Sequence, residues 1–144
     1  MPSRDYLIRQ FEEMGYFLAS LLRRILKMKE ENQQQQMESA VKEELFQELK
    51  LDINQIIILE NQDFLRLIQT TFTSEDQLDK LADILKTLGQ EIEFSFTINK
   101  ANYLRKALFI YQNIQENSSV FSYDRRNKIQ EIQEILLRNG LTIE

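Results

Sequence analysis

Residues 4–30, RDYLIRQFEEMGYFLASLLRRILKMKE, decide the fold class. Leu7, Phe11, Met14, Leu18, Leu21, Ile25 and Met28 recur at spacings of 4, 3, 4, 3, 4 and 3. An α-helix closes a turn every ~3.6 residues, so these side chains fall on one stripe. Ile8, Leu22 and Leu26 widen the stripe into a broad apolar face. Ser3 is placed to cap the first turn, and Asp5 suits the positive end of the helix dipole. Lys27 and Lys29 suit the negative end if the helix stops near residue 30. Gly15 and Ala19 stand four apart on one side, where a neighbouring backbone is expected to approach closely. The seam is heptad-like but short, and a strict coiled coil sustains its heptads longer with charges beside them, which favours packing inside the chain. The second helix and the helix opening at Ser74 are its expected partners; dimerisation through the wider face is the alternative.

Outward from this segment, the same period recurs. Glu30 to Gln36 is polar and reads either as a loop or as a solvated continuation. Met37, Val41, Leu45 and Leu49, with Ala40 and Phe46 beside them, predict a helix over 36–50. Ile56-Ile57-Ile58-Leu59 has strand propensity. No second strand candidate exists to satisfy its backbone, so 52–59 reads as a short helix after Asp52. Asn61 or Asp63 opens a helix carrying Phe64, Leu65, Leu67, Ile68 and Phe72. Ser74-Glu75-Asp76-Gln77 is a capping box. Leu78, Leu81, Leu85, Leu88 and Ile92 follow it, with Phe96 four further on. A turn is expected at 97–99 and a helix over 99–117, carrying Tyr103, Leu104, Ala107, Leu108, Tyr111 and Ile114. Asn117-Ser118-Ser119 is a loop, Ser122 caps the last helix, and Gly140 ends it. The product is an all-α fold over residues 1–144, expected to be one domain. It holds six or seven antiparallel amphipathic helices, in a tetratricopeptide-like array or an irregular bundle.

Composition narrows the chemistry. Three glycines and one proline in 144 residues favour long helices. Cysteine and histidine are absent. Thiolate or imidazole metal sites, Cys nucleophiles and Ser-His-Asp triads therefore cannot form. Acid–base work would need a shifted Glu, Asp, Lys or Tyr. The start, Met1-Pro2-Ser3-Arg4-Asp5, does not read as a signal peptide. The uncharged run Met14–Leu22 has nine residues, against about 20 for a membrane span. Both features place the expected location in the cytoplasm. Net charge is −5, and residues 30–100 alone carry six basic against fifteen acidic groups. That acidic middle argues against a nucleic-acid footprint.

Two resemblances accompany these patterns. Leu85-x2-Leu88-Gly89-x2-Ile92 resembles the first half of the tetratricopeptide repeat, and Ala101 falls at the small position of its second helix. Arg105 and Leu108 depart from that repeat's aromatic and alanine, and no second copy follows. Arg4-Asp5-Tyr6-Leu7-x-Arg9-Gln10-Phe11-Glu12, Lys106-Ala107-Leu108-x-x-Tyr111 and Phe121-Ser122-Tyr123-Asp124-Arg125 together resemble a bacterial family of small helical proteins. That family is a domain of unknown function described as tetratricopeptide-like. It implies an all-α fold and supplies no catalytic residues.

The candidate surfaces are few. Arg4, Asp5, Arg9, Glu12 and Glu13, the first four at i, i+3 and i, i+4 spacings, read either as an anion or carboxylate interaction site or as mutual helix pairs. Arg23, Arg24 and Lys27, with Lys29, are a basic helix end able to meet a phosphate or simply to complement the dipole. Glu43, Glu44 and Glu48, and Asp76, Asp79 and Asp83, read as solvated acidic faces before they read as a cation site. Tyr103, Tyr111 and Tyr123 read as core residues with hydroxyls at the edge. No catalytic, cofactor-binding or metal residue is assigned. The expectation is a non-enzymatic interaction or self-assembly module, with a protein partner or itself through helix 1. The alternatives are a small-ligand binder or enzyme using Arg, Glu and Asp, and a weak nucleic-acid binder through the basic end.

Overall fold

A computed structural model describes residues 3–92 and 98–143. It holds seven helices and no strand among those residues: α1 (Arg4–Glu30), α2 (Gln34–Leu49), α3 (Ile53–Ile56), α4 (Asn61–Thr71), α5 (Glu75–Glu91), α6 (Ile98–Asn117) and α7 (Tyr123–Arg138). Phe96 and the turn expected at Thr97 lie outside the described residues. No described helix is long and apolar enough to cross a membrane.

The helix starts follow their local chemistry. The side chain of Ser3 accepts from the Tyr6 amide, Asp52 from Asn54, Ser74 from Gln77 and Ser122 from Arg125. Each bond satisfies one of the amides a helix leaves unpaired at its first turn. The polar stretch after α1 is a turn over 31–33, where Asn32 takes a left-handed φ of 57°. Asparagine tolerates that region better than most residues. The isoleucine-rich segment is helical as far as Ile56; Ile53, Ile56 and Ile57 are buried while Ile58 faces out. At the other end of the chain, Gly140 adopts φ 72°, and the amide of Leu141 returns to the carbonyl of Leu136.

α5 and α6 pack on each other more extensively than any other pair. Leu81, Ile84, Leu85 and Leu88 of α5 and Tyr103, Leu104, Ala107 and Tyr111 of α6 are fully enclosed. α1 lies against α5 and α2, as its stripe predicts, and α7 lies against α6. On α4, Phe64 meets Phe109 of α6 with ring centres 6.1 Å apart.

The close backbone approach expected at Gly15 is found at Gly89 instead. A Cβ on Gly15 would meet nothing within 4 Å, whereas one on Gly89 would stand 2.6 Å from Leu104 Cγ. The missing side chain on α5 is what lets Leu104 seat α6 so tightly. Lys100, in the first turns of α6, donates to the carbonyls of Gln90 and Ile92 at the end of α5. Burial lowers its pKa, opposed by Glu91.

Candidate interaction surface

The α1 seam changes character along its length. Leu18, Leu21, Ile25 and Met28 are buried, and Met14 is half-buried. Leu7 and Phe11, on the same stripe, are 53% and 47% exposed. Tyr6 and Ile8 are exposed beside them. A helix of 27 residues is about 40 Å long at 1.5 Å per residue, and every residue from Ser3 to Glu13 is exposed. Covering each of these half-exposed side chains stands to gain on the order of 1 kcal/mol.

A groove of about 600 Å³ runs along this segment. Leu7, Phe11, Met14 and Phe17 of α1 form one wall, and Leu49 and Glu48 at the end of α2 form the other. Gln77 closes it from α5. Its amide nitrogen donates to the Phe11 carbonyl at 3.2 Å, while its amide oxygen accepts from Thr73 N–H at 3.1 Å. The capping-box glutamine therefore also ties the start of α5 to α1 at Phe11.

The charged residues of this end are exposed. The pairing expected among Arg4, Asp5, Arg9 and Glu12 does not form: among the described residues none of them joins an ion pair. Glu13 and Glu48, on the groove, are also without one. Further along α1 the basic residues turn to their own chain. Arg24 meets Glu44 at 2.9 Å, Lys29 meets Glu91 at 3.1 Å, and Lys27 stands 4.0 Å from Glu31. Arg23 is exposed.

On the acidic face of α5, Asp76 is solvated as expected, whereas Asp79 and Asp83 are half-buried and paired with α7. Asp79 holds Arg125 of α7 through two bonds of 3.1 and 2.8 Å, and Arg125 donates a third to Gln115. Arg125 is only 8% exposed; its hydrogen bond to Asp79 raises its pKa, against the cost of burial. Asp83 accepts from Tyr111 and from Lys128, and Lys128 reaches Asp124 as well. Burial works against charge on Lys128, but the bonds to Asp83 and Asp124 outweigh it and raise the pKa. Glu131 of α7 takes Lys86 and Gln90 of α5. Burial would raise its pKa, yet those bonds lower it. Asp79, Asp83 and Lys86 of α5 thus meet Arg125, Lys128 and Glu131 of α7 in register, and the three pairs close a polar seam between the two helices.

Tyr103 and Tyr111 are core residues whose hydroxyls reach Glu38 and Asp83. Burial first, then the adjacent carboxylate, pushes both phenols far above their usual range. Tyr123 is exposed and edge-on to Phe121, ring centres 4.8 Å apart. A second cavity, of about 650 Å³, is lined by Arg105, Lys106, Asn61 and Asn102. Lys106 is nearly buried, and burial lowers its pKa. It donates to the Leu59 carbonyl and to Asn61 and lies over the Phe64 ring. Arg105 is bound to Thr142. Both cations thus serve to tie loops down.

Local spacing could not reveal the Asp79–Arg125 pairing, because the two residues are 46 apart. The available signal was opposite charge at helical intervals: Glu75, Asp79 and Asp83 on one helix, Arg125 and Lys128 on another.

No family model, curated protein or solved structure matches the chain. The structure and the two resemblances have the all-helical build in common; membership of a particular family finds no support in these comparisons.

Proposed function

We propose that the chain is a non-enzymatic interaction module, a tetratricopeptide-like helix-pair protein of the bacterial cytoplasm, working through the free end of α1 and the groove beside it. One observation carries this reading. A single apolar stripe is buried over Leu18–Met28 and left half-exposed at Leu7 and Phe11, where the groove opens. Exposed apolar clusters rimmed by polar residues mark contact sites, and helix-in-groove docking uses such anchors at i and i+4. The tetratricopeptide reading draws on the Gly89–Leu104 approach and the burial of Ala101. Absence of cysteine fits a reducing compartment. The enzyme alternative requires a carboxylate beside Arg or Tyr in a pocket. Asp79–Arg125 and Asp83–Tyr111 are such pairs, but they close a helix seam, and none of the four residues lines the two cavities above.

The test is a photo-crosslinking residue in place of Leu7 in the full chain, expressed in cells. A control places it at Arg66, an exposed site on α4. Discrete protein adducts from position 7 alone are expected. Identical smears from both positions, or no adduct from position 7, would overturn the proposal.

A further inference from the structure

Resting on the proposal above, we infer that the groove beside α1 receives the same segment from a second copy of this chain, laid antiparallel across a two-fold axis. Charge complementarity names the occupant. Glu13 and Glu48 stand on the groove, exposed and without an ion pair among the described residues. The free end of α1 carries Arg4 and Arg9 in the same condition. One surface thus holds both the anions and the cations that a self-complementary contact requires.

Direction follows from the order of those charges. Along α1 the charges run Arg4, Asp5, Arg9, Glu12 and Glu13, so both cations lie toward the helix start, one acid among them, and two adjacent carboxylates follow about a turn beyond Arg9. A parallel pair sets arginine beside arginine. An antiparallel pair sets Arg4 and Arg9 of the partner subunit toward Glu13 and Glu48, and the symmetry axis repeats the contact. A two-fold interface uses one patch on both subunits, and this patch has that property. Leu7 and Phe11 line the groove and also stand exposed as the anchors that fill its counterpart. Gly15, with open space where its Cβ would be, leaves the flank of the helix low enough for a second helix to lie close.

Sedimentation velocity on the full chain across micromolar concentrations tests this. The unmodified chain is expected to show a concentration-dependent dimer that weakens as salt rises. Arg4→Glu with Arg9→Glu, and separately Glu13→Arg with Glu48→Arg, are each expected to weaken it about tenfold or more. All four substitutions together restore it. The substituted positions are exposed, and an unchanged helical circular dichroism spectrum confirms folding in each variant. A chain monomeric at every concentration overturns self-docking. So does a dimer indifferent to both charge reversals, which would use another face. If the chain is monomeric yet position 7 still crosslinks to a different protein, the interaction module stands and only its occupant is wrong. If position 7 crosslinks to nothing, both proposals fall.

Discussion

The free end of α1 and the α5–α7 seam handle charge in opposite ways. At the seam, Arg125 is buried, Asp79, Asp83 and Lys128 are half-buried, and every one of them is bonded. No buried side-chain nitrogen or oxygen among the described residues lacks a partner. At the α1 end, Arg4, Arg9 and Glu13 keep their hydration and pair with nothing among the described residues. The difference teaches where each charge's energy resides. A half-withdrawn ion is costly without its partner, so the seam fixes one geometry. A solvated ion costs nothing to leave alone, so the α1 end stays available.

Removing a seam cation should break the contrast hardest. Arg125→Ala leaves Asp79 with its two bonds cut, and is expected to cost about 3 kcal/mol in urea unfolding. Arg4→Ala, measured alongside at a concentration where the chain is monomeric, should change stability by less than about 0.5 kcal/mol.

Two buried phenols set a high-pH limit, Tyr111 on Asp83 at the seam and Tyr103 on Glu38 of α2. Tyr111 and Tyr103 have folded pKa values raised above the unfolded value of about 10. Their contribution is whole below pH 10. It is lost as pH rises above 10, because only the unfolded chain then releases the protons. Stability should fall by up to about 2.7 kcal/mol per pH unit beyond 10 for the two phenols, and Tyr111→Phe should halve that slope. Unfolding curves taken at several alkaline pH values read the slope directly; a flat profile would contradict the burial of these hydroxyls.

The glycines give the smaller effects, of opposite sign. Gly89→Ala forces a Cβ into Leu104 and should destabilise by about 2 kcal/mol. Gly15→Ala meets open space inside a helix and should stabilise the monomer by about 0.5–1 kcal/mol. Thermal unfolding of the two variants, side by side, settles which glycine lies at a helix contact.

Local chemistry was legible in the sequence. Ser3, Asp52, Ser74 and Ser122 announce helix starts because a cap acts within three residues. The α1 stripe correctly names α2 and α5 as its neighbours, since periodicity marks the buried face. Periodicity does not say where cover ends, so Leu7 and Phe11 look no different from Leu18 until the neighbouring helices are in place. The same blindness moved the close approach from Gly89 to Gly15: Gly15 has Ala19 four residues on and Gly89 has no such small neighbour, yet only Gly89 meets a facing helix within the chain. Arg125 was unreadable for a further reason. With Asp124 beside it, it has the signature of a solvated helix start, and its burial depends on an acid contributed by α5.

Gln77 narrows what mutation can explore. A capping box accepts glutamate or glutamine in its third position after the serine, since either oxygen can take the returning amide. Here the other end of the side chain must give a proton to the carbonyl of Phe11, which an ionised carboxylate cannot do. The bond from α1 therefore removes the commoner letter from position 77. A substitution that looks conservative on α5 would be felt 66 residues earlier, at the base of the free helix end.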